Sequence, residues 1–162
     1  MMYRKILSKE EALQKLKHFC GYQERCHSEV KEKLYSLGIR KTDHDDLVAT
    51  LIEENYLNEE RFAIQFAGGR YRVKNWGRKK IMFALREKQV NDYSIKKALQ
   101  QIDEADYKMK LNDLVKKRYD SLKQEQYLVR KKKTIDYLLL KGYEFSLVTQ
   151  AVNKYFENNN SK

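Results

Sequence analysis

The chain has 162 residues, with 34 lysines and arginines against 23 aspartates and glutamates, and it contains six glycines and no proline. Because glycine and proline disfavour helix interiors, their scarcity indicates an all-α fold. No stretch approaches the roughly 20 apolar residues of a membrane span, and the first residues lack the apolar core of a signal peptide, so we expect a cytoplasmic protein without membrane contact.

Two sets of apolar residues recur three times along the chain, roughly fifty residues apart. The first set has the same internal spacing each time: Val30, Leu34 and Ile39, then Ile81, Leu85 and Val90, then Thr134, Leu138 and Tyr143. The second set follows each trio: Val48, Leu51 and Ile52, then Ile95, Ala98, Leu99 and Ile102, then Val148, Ala151, Val152 and Tyr155. This repetition predicts stacked copies of one three-helix unit rather than a single enclosed pocket.

The first predicted repeat spans residues 1–57. Ser28 is its clearest helix start, as the N-cap of the second helix. Gly38 is its clearest helix end, because glycine readily adopts the left-handed conformation that closes a helix. Thr42 or Asp43 is expected to cap the third helix.

The second predicted repeat spans residues 58–102. Asn58 is a plausible N-cap for its first helix, and Asn91 opens its third helix. Between them, Gly77 breaks the chain before the helix that carries the second apolar trio. This division leaves the second repeat with three helices, as in the first.

The third predicted repeat spans residues 103–157 and begins near Asp103. Gly142 ends its middle helix, as the counterpart of the glycine in the first repeat. The last helix is expected to end near Phe156, and residues 158–162 are expected to form a disordered tail.

Basic residues are distributed unevenly over these repeats. Residues 1–57 hold ten basic and ten acidic residues, residues 58–102 hold eleven and four, and residues 103–162 hold thirteen and nine. A polyanionic partner is the leading physical explanation for an excess placed on the second and third repeats.

The densest basic segment contains Arg70, Arg72, Lys74, Arg78, Lys79, Lys80, Arg86 and Lys88. We predict that it contacts phosphates, with Gly77 leaving space for a phosphate backbone at a helix start. Tyr71 and Trp76 are candidates for stacking on an unpaired base, although packing onto the core is the alternative for both. We also expect charge reversal at Arg78, Lys79 and Lys80 to leave the protein folded.

A second basic cluster lies in the third repeat and contains Lys117, Arg118, Arg130, Lys131, Lys132 and Lys133. A solubilising helix face is its alternative interpretation. Lys79 and Lys80 precede the second apolar trio much as Lys132 and Lys133 precede the third, and this recurrence favours a function for both clusters.

Signatures of catalysis are missing from the sequence. It contains no phosphate loop, no H-E-x-x-H, no C-x-x-C and no G-x-S-x-G, so we predict that the protein is not an enzyme and has no cofactor. His18, Cys20, Cys26 and His27 fit no common zinc spacing, and we expect no metal. In the cytoplasm the two cysteines would be reduced thiols.

The segment between Tyr56 and Leu85 contains a characteristic series of residues: Tyr56-Leu57-Asn58-Glu59-Glu60-Arg61-Phe62-Ala63, then Arg70, then Gly77-Arg78-Lys79-Lys80-Ile81 and Leu85. An earlier series consists of Arg25, Ser28, Glu29, Val30, Leu34 and Leu37-Gly38-Ile39. Together they resemble the RecX family of recombinase regulators, over about residues 10–156. Gln89 stands where that family usually has glycine.

The resemblance implies an elongated array of three tandem three-helix repeats. It also implies a monomeric regulator of DNA repair, recombination and the SOS response. Such a protein would bind RecA and RecA–DNA filaments and mainly inhibit their recombinase, ATPase and coprotease activities. Among the residues shared with the family, Phe62 and Ala63 are expected to pack, whereas Glu59 and Arg61 are expected to form a network in the first turn of their helix.

Two modes of DNA contact remain open from the residues. Because the cations are scattered rather than placed on one groove-reading helix, we expect salt-sensitive, sequence-independent contacts with single- and double-stranded DNA. The alternative is a stand-alone DNA-binding protein with helix-turn-helix-like units.

Overall fold

The computed structural model describes residues 6–160, and over this range the chain forms nine α-helices and no β-strand. The helices are α1 (Lys9–Tyr22), α2 (His27–Ser36), α3 (Lys41–Glu53), α4 (Glu59–Lys74), α5 (Arg78–Glu87), α6 (Asp92–Gln100), α7 (Glu104–Ser121), α8 (Tyr127–Leu140) and α9 (Phe145–Asn160). Helices α1, α2 and α3 pack on one another, and so do α7, α8 and α9. The all-α prediction is confirmed, and the helix order is that of tandem three-helix repeats.

The described residues form two compact units. The first unit consists of the described part of Met1–Phe66 together with Leu85–Ala98. The second unit consists of Ala67–Ala84 together with the described part of Leu99–Lys162. Helices α4, α5 and α6 therefore contribute residues to both units, and the repeat borders expected from the sequence stay a prediction.

The threefold apolar pattern supplies the buried side chains of both units. Every member of the first set is buried except Ile39, which packs against the edge of the first unit's core. Thr134 is fully buried and donates its hydroxyl to the Arg130 carbonyl at 2.8 Å, so its polar group is satisfied. Ile52 was expected in the second set, and this is wrong, because it is 45% exposed beside the fully buried Leu51.

Helices α2, α5 and α8 end in the same backbone conformation. Gly38, Gln89 and Gly142 have φ angles of 72°, 61° and 97°. In each case the next residue's amide donates to the carbonyl five residues before it, which is the Schellman arrangement. The predicted helix ends at Gly38 and Gly142 are confirmed. Gln89 takes the same conformation despite the crowding of its Cβ.

Short polar side chains begin three helices as the sequence indicates. Asn58 accepts a hydrogen bond from a first-turn amide of α4 at 2.9 Å, and Asn91 does the same for α6 at 2.8 Å. Asp103 caps α7 in the same way at 2.9 Å. These side chains satisfy amides that have no partner within the helix.

Two predicted helix starts are wrong. Helix α2 has Cys26 as its N-cap, and Ser28 lies inside the first turn. The N-cap of α3 is Arg40, so that neither Thr42 nor Asp43 begins it. Ser28 is used elsewhere, because its hydroxyl donates to the Lys88 carbonyl at 2.7 Å.

The final helix is longer than expected. Helix α9 continues to Asn160, so residues 158–160 are helical rather than disordered, while residues 161–162 lie outside the described part of the chain. The favourable apolar spacing ends near Phe156, but backbone hydrogen bonding carries the helix beyond it. None of the helices within residues 6–160 is long and apolar enough to cross a membrane.

Candidate nucleic-acid interface

Three cationic side chains of the second unit surround the indole ring of Trp76. Lys80 Nζ lies 4.6 Å from the ring centroid, the Arg70 guanidinium carbon 5.5 Å and Lys74 Nζ 6.0 Å. Arg70 and Lys74 lie one turn apart on α4, whereas Lys80 comes from the first turn of α5. The Trp76 amide donates to the Arg70 carbonyl at 3.1 Å and thereby holds the half-buried ring in place. We call Arg70, Lys74, Trp76 and Lys80 the Trp76 cluster.

The two lysines of the Trp76 cluster have no acidic counterion. Within the part of the chain that the structure describes, neither Lys74 nor Lys80 forms an ion pair with a carboxylate. Attraction to the face of an indole is favourable for each cation separately, but it does not remove the repulsion between neighbouring cations. The cluster therefore presents concentrated positive charge beside a half-buried aromatic ring.

The backbone amides at the start of α5 are occupied by protein groups. The amides of Gly77 and Lys79 donate to the carbonyls of Lys141 and Gly142 at 2.8 and 2.9 Å. The space beside Gly77 is filled as well, because a Cβ there would lie 2.5 Å from the Gly142 oxygen. The expectation that a phosphate backbone approaches at Gly77 is therefore wrong.

Arg78 is tied into the second unit by two carboxylates. Its guanidinium donates to Glu144 at 3.2 and 2.9 Å and to Glu104 at 2.7 Å, and it lies 4.0 Å from the ring centroid of Tyr107. Burial lowers the pKa of Arg78, but the hydrogen bonds to Glu144 and Glu104 outweigh it and raise that pKa overall. Its charge is thus compensated inside the fold, and charge reversal at this position is now expected to destabilise the protein.

Tyr71 is not available for stacking on a base. It is 5% exposed, its hydroxyl donates to Asp106, and its ring lies 6.0 Å from that of Tyr107. Burial raises the pKa of Tyr71, and the hydrogen bond to Asp106 adds to this effect. The stacking prediction for Tyr71 is wrong because its side chain faces the core. The neighbouring Arg72 is exposed.

Three cations of α8 already have partners in the second unit. Arg130 stacks on the Tyr119 ring, with its guanidinium carbon 3.2 Å from the centroid, and donates to the Tyr119 carbonyl. Lys132 pairs with Asp136 at 2.8 Å, and Lys133 pairs with Glu125. The sequence likeness between these two lysines and the Lys79–Lys80 pair therefore does not extend to their electrostatic surroundings.

The remaining predicted cations of the second unit keep uncompensated charges. Lys79 and Lys117 are exposed and Lys131 is half-buried, and none of the three has an ion-pair partner among residues 6–160. The Arg118 guanidinium carbon lies 4.8 Å from the Tyr137 ring centroid, and its Nε is buried without a hydrogen-bond partner.

Sequence reasoning missed Lys141 and Tyr137. The Nζ atom of Lys141 donates to the Lys74 carbonyl at 3.1 Å and lies 5.8 Å from the Tyr137 ring centroid. Lys141 stands alone beside a helix-ending glycine, outside any run of basic residues. Its position immediately before Gly142 is the only local signal that could have found it.

Cations over aromatic rings also occur in the first unit, where some of them have acidic partners, although Lys33 over Phe19 and Lys97 over Tyr93 form no ion pair among residues 6–160. Lys17 lies 5.4 Å from the Tyr56 ring centroid and pairs with Glu54 at 2.7 Å. Two further cations predicted as contacts also pair in this unit: Arg86 with Asp92 at 3.7 Å and Lys88 with Glu29 at 3.9 Å.

The first turn of α4 connects helices instead of forming the expected internal network. The buried Glu59 accepts the His27 amide at 3.3 Å and lies 3.2 Å from the His27 ring nitrogen. Arg61 instead pairs with Glu24 and donates to the Asn55 carbonyl at 3.2 Å. Phe62 and Ala63 are buried, as expected. We find no hydrogen bond between Glu59 and Arg61 within the described chain.

The histidines and cysteines form no cluster of metal-ligand type. Over residues 6–160, no group of three or more His, Cys, Asp or Glu side chains could hold a metal ion. Cys20 and Cys26 are buried free thiols, and burial raises the pKa of each. The thiols are therefore kept in the protonated, less reactive form.

Comparison with protein families identifies the segment that contains the Trp76 cluster. Residues 58–99 match the family model described as "RecX, second three-helix domain". The match includes α4, α5 and most of α6, and several curated RecX proteins align with 80% or more of this chain. This segment therefore matches the RecX family model, and the chain is similar over most of its length to proteins named RecX.

The curated RecX relatives differ in the share of their own length that this chain covers. "Regulatory protein RecX" of Prosthecochloris aestuarii is 29% identical over 148 residues, which cover 91% of this chain and 95% of the relative. The RecX proteins of Oceanobacillus iheyensis and Clostridium perfringens strain SM101 are 24% and 28% identical, over 85% and 83% of this chain. The chain spans only 50% and 63% of the lengths of these two relatives.

Solved RecX structures have the same fold. The crystal structure of RecX from Lactobacillus salivarius superposes with a TM-score of 0.83 at 21% identity, covering 90% of this chain and 95% of that one. A second RecX crystal structure gives a TM-score of 0.82 at 18% identity, with 90% and 73% of the two chains covered.

Proposed function

We propose that this protein binds RecA nucleoprotein filaments and modulates, mainly by inhibition, their recombinase, ATPase and coprotease activities, using sequence-independent DNA contacts. Similarity to proteins named "Regulatory protein RecX" supports the regulatory role. The Trp76 cluster is the observation that carries the DNA contact, because two lysines without counterions converge there on one aromatic ring.

The electrostatics of the Trp76 cluster favour a polyanion as its partner. Cations held near one another cost free energy unless solvent ions or a ligand compensate them. A nucleic-acid backbone supplies phosphates at regular spacing, and it releases its own condensed counterions when it binds cations. Uncompensated lysines therefore gain from this partner, whereas lysines already paired with carboxylates gain little.

The helices that would read DNA in a helix-turn-helix protein provide no support for sequence-specific binding. Helix α9 has Lys154 as its single basic residue, and Lys96 and Lys97 are the basic residues of α6. Phosphate contacts position a protein without reading base sequence. The scattered lysines of the second unit thus favour sequence-independent contact.

The decisive experiment measures hydrolysis of ATP by RecA on single-stranded DNA, with and without this protein. We expect dose-dependent inhibition, and we expect Lys74→Gln combined with Lys80→Gln to weaken it severalfold. Lys132→Gln combined with Lys133→Gln is the matched control, because those lysines pair with Asp136 and Glu125. Arg78 is left unchanged because it holds the fold together.

The outcomes of this assay separate the candidate functions. Unchanged ATP hydrolysis in the presence of the unaltered protein would exclude the filament-binding proposal. A strong preference for one duplex sequence in a competition titration would instead favour a stand-alone DNA-binding protein. Equal inhibition by the two double variants would show that the Trp76 cluster does not carry the contact.

A further inference from the structure

Lys141 contacts the chain close to Trp76 and also lies near the ring of Tyr137. Its Nζ atom donates to the Lys74 carbonyl, two residues before Trp76, and lies 5.8 Å from the Tyr137 ring centroid. The Tyr137 ring also has the Arg118 guanidinium 4.8 Å from its centroid. Lys141 thus links the helix end that carries Tyr137 to the backbone of α4 two residues before Trp76.

The two cations around Tyr137 are Arg118 and Lys141. They resemble Lys74 and Lys80 in forming no ion pair with a carboxylate among residues 6–160. The buried Arg118 Nε has no hydrogen-bond partner, which is unusual because a buried donor without a partner is destabilising.

We propose that Trp76 and Tyr137 are two base-stacking platforms of one single-strand-binding band, with Lys141 as a phosphate contact. We define this band as Trp76, Lys141, Tyr137 and Arg118 together with Lys74 and Lys80. The proposal rests on the DNA contact of the proposed function and specifies the form of nucleic acid that the second unit binds.

The chemistry of the band favours a single strand over a duplex. Alternation of cations and aromatic rings is the arrangement by which proteins hold single strands without reading sequence, because every base has a face that can stack. Both rings are half-buried, so that each retains an accessible part. Bases in a duplex already stack on one another and can offer these rings only their sugar–phosphate backbone.

The fluorescence of Trp76 provides a direct test, because it is the single tryptophan of the chain. We expect a thymidine oligonucleotide to quench the emission of Trp76 on binding and a duplex of the same length to quench it much less, at the same salt concentration. Equal quenching by both forms, or binding of the single strand without quenching, would overturn the stacking role of Trp76.

Two substitutions test the rest of the band. Tyr137→Leu keeps an apolar side chain and removes the ring, and we expect about tenfold weaker binding of the single strand with little change for the duplex. Tyr22→Leu, at a tyrosine of the first unit that is 79% exposed, is the matched control. Lys141→Gln should reduce the magnitude of the log–log salt slope for the single strand by about 0.7, the value for one phosphate contact.

Failure of this inference differs from failure of the proposed function. If Tyr137→Leu binds the single strand as tightly as Tyr22→Leu, the band is wrong, even where RecA inhibition persists. If the unaltered protein binds neither form of DNA, then the DNA contact of the proposed function fails as well. Thermal unfolding of every variant checks that the fold is retained. If Tyr137→Leu is destabilised, the Lys141→Gln salt slope replaces it as the test, and a slope equal to that of the unaltered protein would overturn the band.

Discussion

Helices α2 and α5 begin at equivalent positions of the repeated pattern, but different chemistry anchors them. In the second unit, the backbone at the start of α5 bonds directly to the backbone at the end of α8, through the amides of Gly77 and Lys79. In the first unit, side chains make the corresponding contacts at the start of α2. The Ser28 hydroxyl donates to the Lys88 carbonyl at the end of α5, and Glu59 accepts the His27 amide. We call these contacts the α5–α8 joint and the α2–α5 joint.

Glycine explains the difference between the two joints. The α5–α8 joint has Gly77 facing Gly142, and a Cβ on Gly142 would lie 2.5 Å from the Lys80 amide nitrogen. At the equivalent positions, the α2–α5 joint has Cys26 and Gln89. Because side chains are present there, the Ser28 hydroxyl bridges α2 to the backbone at the end of α5, and the Glu59 carboxylate of α4 accepts the α2 amide instead. The same core pattern thus supports a rigid joint and a more adaptable one.

The largest expected effect comes from closing the space in the α5–α8 joint. Gly142→Ala should lower the free energy of unfolding by about 3 kcal/mol or more, because its Cβ meets the start of α5 and its φ of 97° strains any other residue. Urea unfolding, followed by circular dichroism, measures the loss.

The matched control for Gly142→Ala is Gly38→Ala. Gly38 also has a positive φ, at 72°, but no heavy atom lies within 4 Å of the position of its Cβ. It should therefore lose only the conformational cost, about 1 kcal/mol. Equal losses for the two variants would show that close approach does not distinguish the α5–α8 joint.

Arg78→Ala should produce the next largest effect. It removes hydrogen bonds to two carboxylates and leaves Glu144 half-buried without its cation, so we expect a loss of about 2 kcal/mol in the free energy of unfolding.

In the α2–α5 joint, Ser28→Ala removes one neutral hydrogen bond and should lower the free energy of unfolding by about 1 kcal/mol. A larger loss for Ser28→Ala would reverse the comparison between the two joints.

The pH dependence of stability checks the interaction of Arg78 with Glu104. The hydrogen bond from Arg78 lowers the pKa of Glu104 below its ordinary value of 4.5. A carboxylate with a depressed pKa contributes stability above its unfolded pKa and loses that contribution as the pH falls through the folded pKa. Arg78→Ala should therefore show a weaker acid dependence below about pH 4.5 than the unaltered protein.

The sequence predicts the interior of this protein better than its joints. Apolar spacing and glycine placement are local properties: the spacing identified the buried trios apart from Ile39, and the glycines identified the helix ends at Gly38 and Gly142. Arg78 is indistinguishable from Lys79 and Lys80 in a run of cations, since its partners Glu104 and Glu144 lie 26 and 66 residues away. Likewise, Gly77 and Gly142 each indicate a turn, but only the tertiary structure shows that the two turns touch.

The smallest expected effect concerns Gln89, which occupies the position of Gly142 in the α2–α5 joint. Its φ of 61° places a non-glycine residue in the left-handed region, so Gln89→Gly relieves strain of about 1 kcal/mol. The greater conformational entropy of glycine in the unfolded chain offsets part of this gain, so the free energy of unfolding should rise by less than that. Urea unfolding measures the change. Gln89→Ala keeps the Cβ and should give no comparable gain.

Because Cys26 still carries a side chain, Gln89→Gly should not create a backbone-to-backbone joint. Ser28→Ala should therefore remain as destabilising in the Gln89→Gly background as in the unaltered protein. If glycine at position 89 made Ser28 dispensable, one glycine alone would be enough to form the rigid type of joint.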